Sequence, residues 1–289
     1  MRCNPDRRPN RREVLQLVGG LVAVTGCSRL ASSPKARADQ SAPMRYTYGA
    51  DPSQYAELSL PDGTGRAPVV VVIHGGYWRV GYGAELGRPL AADLAGRGFA
   101  ALNVEYRRVG DGGGWSQTGD DVANAVDALR ADGQRLAGSR LDLGHVVALG
   151  HSAGGQLAGW LASRRSAPVP MSGAVLQAGL LDLVQGADEG LGGGAVDEFL
   201  GGSPAQRPEA YAQASPIALL PFGIPSICVH GTADAVVPID QSQRFVAAAQ
   251  QAGDSADLRT FDGGHDELIT VGTPAWDLCV DAVHRLTGT

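Results

Sequence analysis

The sequence predicts a doubly wound α/β domain, a mostly parallel sheet with helices on both faces. Three observations point there. Short, near-continuous apolar runs recur along the chain, as strands do when both faces are covered. Between them lie stretches whose apolar residues fall at helical spacing. The 289 residues, 44% hydrophobic and 19% charged, suffice for one large core.

The elements follow in order. Tyr46 to Leu60, ending in the turn Pro61-Asp62-Gly63, suits antiparallel strands at one edge. Val69–Ile73, Ala100–Val104, Val146–Leu149, Ala174–Leu176 and Ser226–Val229 read as buried strands, with Leu258–Phe261 a weaker sixth. Val122, Val126 and Leu129 share one helical face, as do Leu157 with Leu161 and Phe245 with Ala249. From Asp182 to Pro221 the rhythm breaks. Gly192-Gly193-Gly194, Gly201-Gly202 and several prolines leave only fragments such as Ala195 to Leu200, so residues 182–221 are read as a small cap or lid that folds over the site or away from it.

The first 43 residues read differently. Arg11-Arg12 precedes an apolar stretch from Val14 to Gly26 that is too short for a comfortable membrane span, and Val24-Thr25-Gly26-Cys27 resembles a bacterial lipobox. Residues 1–26 are therefore expected to be a twin-arginine signal peptide, with Cys27 the lipidated first residue of the mature protein. A plain cleaved signal peptide is the alternative. Residues 27–43 serve as a tether and residues 44–289 form the folded domain. The expected location is the outer face of a bacterial cytoplasmic membrane, held by the lipid anchor only.

The formal charge is -6, and residues 1–26 hold five of the 24 basic and two of the 30 acidic residues, leaving -9 for the rest. That balance argues against a nucleic-acid partner, because phosphate binding needs a basic face. Beyond Cys3 and Cys27, Cys228 and Cys279 remain; they read as buried thiols, though an exported chain could pair them. No cysteine pair has metal-ligand spacing.

Chemistry enters at Gly150-His151-Ser152-Ala153-Gly154, a G-x-S-x-G between a strand and a helix. A serine on such an elbow needs small neighbours two positions away, and Gly150, Gly154 and Gly155 supply them. Its hydroxyl then stands at the carboxyl edge of the sheet, where open α/β folds bind ligands. A serine is a poor nucleophile until a base takes its proton. Asp234 follows the strand ending in His230-Gly231, with Val237-Pro238 opening the next helix, and His265 follows the last strand behind Gly263-Gly264. The chemistry assigns attack to Ser152, proton transfer to His265 and orientation of the imidazole to Asp234. Asp182 is the rival acid; Asp234 is favoured because its loop has the matching pattern. His230, His145 and His284 read as structural, and Asp262 and Asp266 as solvated. The oxyanion donors are expected after the first strong strand, in His74-Gly75-Gly76-Tyr77-Trp78: the N–H groups of Gly76 and Ala153, with Tyr77 a third. Trp78 and Trp115 are candidates for lining a pocket or for plain packing.

Together His74 to Trp78, Gly150 to Gly155 and the Asp234 and His265 loops resemble the α/β-hydrolase superfamily of serine esterases and lipases. His-Gly-Gly-Tyr-Trp is similar to the kynurenine formamidase-like branch, and the prolyl oligopeptidase catalytic domains are also related. The resemblance spans Tyr46 to the C-terminus. It implies hydrolysis through an acyl-enzyme, a small-molecule ester or amide substrate, and no metal or organic cofactor. Carboxylic ester hydrolysis is the expected activity. Arylformamidase and serine peptidase activity are alternatives within the fold, and a non-catalytic binding protein is the alternative of a different class.

Overall fold

The computed structural model describes residues 42–289. Cys27, the twin arginine and nearly all of the proposed tether lie outside the described residues. The chain runs through β1 (Met44–Thr47), β2 (Tyr55–Ser59), β3 (Ala67–Ile73), α1 (Arg88–Gly96), β4 (Ala100–Val104), α2 (Gln117–Asp127) and α3 (Asp132–Leu136). It continues through β5 (Leu141–His151), α4 (Ala153–Ala162), β6 (Gly173–Gln177), α5 (Leu183–Asp188), α6 (Leu191–Leu200) and α7 (Pro208–Ala214). Then come β7 (Ser226–Gly231), α8 (Asp240–Gln251), β8 (Ala256–Phe261) and α9 (Pro274–Thr287).

The eight strands form one sheet in the order β1-β2-β4-β3-β5-β6-β7-β8. β1 and β2 pair antiparallel, β2 is antiparallel to β4, and every other pairing is parallel. The edge hairpin expected from Tyr46 to Leu60 is therefore present, and all six apolar runs are strands.

Alternation along β3 shows why both faces had to be apolar. Val69, Val71 and Ile73 join the core with Val122 and Val126 of α2, Leu157 and Leu161 of α4, and Phe245 of α8. Val70 and Val72 face the other way, into a second core with Leu90 and Leu94 of α1 and Trp276, Val280 and Val283 of α9. A strand residue changes face at every step, so a run of valines feeds two cores at once.

Two boundaries near the site differ most from the sequence reading. β5 begins at Leu141, because Ala67 and Pro68 pair with Leu141 and Asp142 before the register jumps to Val69 opposite Val146. Residues 143–145 bulge out between, which hides the strand in a polar stretch. The helix expected at Val237-Pro238 starts at Asp240, since Asp234 Oδ1 accepts the N–H groups of Val236 and Val237 and holds them in a turn. Cys228 and Cys279 are both free and buried, as their apolar settings suggested.

Candidate active site

At the carboxyl ends of β5, β7, β8 and β3 four loops converge. The elbow between β5 and α4 gives Ser152 φ 56° and ψ −120°, outside the ordinary regions for a residue with a side chain. The conformation is fixed by its own backbone bonds. Ser152 N–H donates to Gln177 O at 2.8 Å, and Ser152 O accepts from Gly155 N–H at 2.9 Å. A side chain on Gly154 would overlap the carbonyl oxygens of Ile73 and His74, so the elbow can approach β3 only with glycine there. Ser152 is 4% exposed.

Asp234 and His265 come together as the pattern expected. His265 Nδ1 lies 2.6 Å from Asp234 Oδ2, while Asp234 Oδ1 takes two backbone N–H groups at 2.8 and 2.9 Å. Burial disfavours the charged carboxylate, but the hydrogen bonds from His230, His265 and Val237 N–H outweigh it and hold Asp234 well below the usual carboxylate range. The ionised acid thus fixes the tautomer of His265 that leaves Nε2 to accept a proton.

His265 is tied to the elbow by its main chain. His151, the residue before Ser152, has its Nε2 3.1 Å from His265 O, and the two rings are 4.4 Å apart between centroids. Burial, then the positive charge available to His265, pulls the His151 pKa down to about 3, so this ring is neutral and donates through Nε2–H. Ser152 Oγ itself makes no hydrogen bond among the described residues. Such bonds are commonly long before substrate binds.

The third loop faces the serine from the β3 side. A Cβ placed on Gly75 would stand 3.0 Å from Ser152 Cβ. The N–H groups of Gly76, Tyr77 and Ala153 meet no hydrogen-bond acceptor among the described residues, leaving three donors uncommitted in the loops around Ser152. Behind them His74 Nδ1 lies 2.8 Å from Gly75 O, its ring stacks on Tyr106 at 4.2 Å, and Tyr106 OH donates to His74 O at 2.8 Å. Glu105 lies 3.4 Å from His74 Nε2 and accepts Ala84 N–H. Burial opposes its charge, but these partners and Arg108 hold its carboxyl below the ordinary value.

The other candidates fall away from the chemistry. Asp182 caps α5 through Gln185 N–H and pairs with Arg244 at 2.7 Å, so it is committed elsewhere. His230 is fully buried, spending its nitrogens on Ser242 Oγ and Val237 O while touching Asp234 at 3.4 Å. His145 pairs with Asp142 on the surface, and His284 packs against Phe99. Trp78 is a packing residue: it is 1% exposed, stacked on Phe199, and its indole N–H donates to Gln156. Trp115 sits edge-on to both Trp160 and Phe199. The 182–221 segment reaches the site, since Arg79 beside the oxyanion loop bonds to Gly192 O and Glu198 in α6. Sequence reasoning missed the anchoring by His151, Glu105 and Arg79. Only His151 left a trace, as the variable position of G-x-S-x-G. No group of three or more His, Cys, Asp or Glu side chains among the described residues could hold a metal ion.

Comparison with known proteins agrees with this geometry. The BD-FAE family description matches residues 57–248. The rice (Oryza sativa subsp. japonica) protein named "Probable isoprenylcysteine alpha-carbonyl methylesterase ICMEL1" is 30% identical over 259 residues, covering 77% of this chain and 56% of its own length. Esterase LipC of Mycobacterium tuberculosis is 30% identical over 230 residues, covering 70% of this chain and 53% of its own. The chain thus spans about half the length of these curated relatives. Among solved structures, esterase 2 of Thermogutta terrifontis phosphonylated by sarin superposes with a TM-score of 0.69 at 24% identity, covering 86% of this chain and 94% of that one. A truncated carbohydrate esterase from gut microbiota gives 0.72 at 18%, covering 87% and 99%. The structural likenesses establish the fold. With the sequence match over residues 57–248, they show that the chain belongs to BD-FAE, an α/β-hydrolase family.

Proposed function

We propose that this chain is a serine hydrolase cleaving carboxylic esters, with Ser152, His265 and Asp234 as its catalytic triad. One observation carries the reading. A strained, nearly buried serine follows His151, whose ring packs on the His265 of an Asp234–His265 pair 2.6 Å apart, and the N–H groups of Gly76, Tyr77 and Ala153 have no acceptor among the described residues. The names of the relatives, a methylesterase and an esterase, support the same reaction class.

In this mechanism His265 Nε2 takes the Ser152 proton as Oγ attacks the ester carbonyl. The carbonyl π pair moves onto oxygen, and the N–H groups of Gly76, Tyr77 and Ala153 receive the resulting anion. Collapse expels the alcohol, which leaves with the proton from His265. Water then repeats the sequence on the acyl-enzyme and frees the acid. Asp234 stays ionised throughout and stabilises the imidazolium.

Turnover of p-nitrophenyl butyrate tests the proposal. Ser152→Ala is expected to lower kcat by on the order of 10⁴ or more with its melting temperature retained. An inert wild type, or an unaffected mutant, would refute it. An ester and amide panel with N-formylkynurenine and peptide anilides separates esterase from formamidase and peptidase. Ester binding without turnover would favour a non-catalytic role.

We further propose export and lipid anchoring through Cys27, on the sequence support of Arg11-Arg12 and Val24-Thr25-Gly26-Cys27. Labelling with radioactive palmitate should vanish in Cys27→Ser; persistence would overturn the anchor.

A further inference from the structure

We infer that α6 of the cap holds the oxyanion turn in its working shape, with Arg79 as the positioning residue that joins the two. The inference rests on the serine hydrolase reading above.

The starting point is a strained turn. Arg79 N–H donates to Gly76 O at 3.0 Å, closing a four-residue turn whose central residues are Tyr77 at φ 56° and Trp78 at φ 55°. Both lie in the left-handed region that glycine and asparagine tolerate and bulky side chains resist. Such a conformation persists only where its surroundings over-determine it. Two of the three proposed oxyanion donors, Gly76 and Tyr77, belong to this turn. Whatever holds the turn therefore sets where they point.

Three of the contacts that hold it come from residues 192–199. Trp78 stacks on Phe199 at 4.4 Å with the rings 6° from parallel. The Tyr77 ring fills the space a side chain at Gly192 would need. Arg79 spreads its guanidinium over the same segment: Nε meets Glu198 Oε2 at 2.7 Å, Nη1 meets Gly192 O at 2.9 Å and Nη2 meets Gly193 O at 3.3 Å. Gly192, Gly193 and Gly194 have φ of 63°, 63° and 84°, the reversal that lets consecutive carbonyls face one guanidinium. A planar fork of donors suits that target and an ammonium does not. Outside the cap, Val109 N–H bonds to Trp78 O at 2.8 Å, and Gln156 of α4 receives the Trp78 indole N–H at 3.0 Å. They fix Trp78, while Tyr82 meets Tyr77 edge-on at 6.4 Å, so the cap shares the Tyr77 side of the turn with one residue of its own loop.

The prediction separates clamping from pocket shaping. If α6 merely borders the substrate, loosening it changes KM. If it aims the oxyanion donors, loosening it costs transition-state stabilisation and falls on kcat. Kinetics on p-nitrophenyl butyrate are compared for wild type, Arg79→Ala, Arg79→Lys and Glu198→Gln, with melting curves for each. Arg79→Ala is expected to lose about 10- to 100-fold in kcat with KM within about two-fold, short of the full loss of an oxyanion donor. Arg79→Lys should recover little. Guanidinium added at sub-denaturing concentration should restore part of the activity of Arg79→Ala and none to Ser152→Ala. Should Arg79→Ala fold poorly, Gly192→Ala, which presses on the Tyr77 ring and leaves the ion pair, is expected to show the same kcat-weighted loss. An active wild type with a well-folded Arg79→Ala of normal kcat, or a loss confined to KM, overturns the clamp and leaves the hydrolase reading standing. An inert wild type overturns both.

Discussion

Replacing Asp234 by Asn changes one atom and should nearly abolish turnover. Asp234 Oδ1 accepts two backbone N–H groups, from Val236 and Val237, at 2.8 and 2.9 Å. Oδ2 accepts from His265 Nδ1 at 2.6 Å. An Asn side chain must put its oxygen on one side and its NH₂ on the other. Turning the NH₂ toward Val236 and Val237 would set donors against donors and strand two amides, at a cost of about 1–3 kcal/mol each. Turning it toward His265 costs a change of tautomer, because the ring can shift its proton from Nδ1 to Nε2, and the 3.4 Å contact of Oδ2 with His230 Nε2, which is longer than either backbone bond. The second arrangement wins. His265 then presents Nε2–H to Ser152 and has no lone pair with which to take the serine proton. The expected loss in kcat is about 10⁴-fold, or about 5.4 kcal/mol at 1.36 kcal/mol per decade. Steady-state hydrolysis of p-nitrophenyl butyrate measures it, with circular dichroism and a melting curve to confirm the fold. A kcat within tenfold of wild type would refute the assignment, most directly if Asp182→Asn, which here keeps the helix cap and removes only the charge facing Arg244, were the variant that lost activity instead.

Other expectations follow from the same contacts. His151 titrates at about 3 when folded against 6.5 unfolded, so the unfolded chain binds the extra proton. Stability is then fully present above about pH 6.5 and falls by about 1.4 kcal/mol per pH unit between there and pH 3. Urea titrations at pH 7, 6 and 5 should give a shallower acid dependence in His151→Gln, which can still donate to His265 O; parallel slopes would contradict this. Cys228 and Cys279 are each pushed up to about 12, first by burial, so native protein should not react with a thiol reagent at pH 8, whereas urea-unfolded protein should. Trp276 is fully buried on α9, and its indole donates to Asp93. Trp276→Ala should cost about 3–5 kcal/mol in chemical denaturation, and a loss under 1 kcal/mol would mean that the α9 core repacks around the gap.

Much of the fold was legible because it depends on local pattern. β4 was bounded to the residue, since its other residues are apolar and its one polar side chain, Asn103, is buried with its amide donating to Ala84 O and Glu57. The elbow at Ser152 and the meeting of Asp234 with His265 were legible because each residue follows a strand in a loop with its own glycines. The failures have a common cause. β5 was read short because Leu143, Gly144 and His145 leave the ladder at a bulge whose partner is Pro68, far away in sequence. The hold of His151 on His265 is to a backbone carbonyl, and that of Arg79 on the cap is largely to carbonyls of glycines. No side chain advertises either contact. Asp182 offered a plausible acid in a plausible loop, and its cap on α5 and its contact with Arg244, on a different helix, commit it elsewhere.

β8 pairs with β7 alone and forms one rim of the sheet, and His265 is carried on the segment that leaves it. A rim strand has half the ladder of an inner one, so its amides exchange with solvent earlier than those of β5, where Ser152 is mounted. Heat should therefore disable this protein in two stages. The base detaches with the fraying rim while the serine stays seated in the sheet interior, and activity is lost at a temperature below that of global melting. On cooling, the first stage reverses without refolding of the core, as the loop regains its bonds to His151 and Asp234.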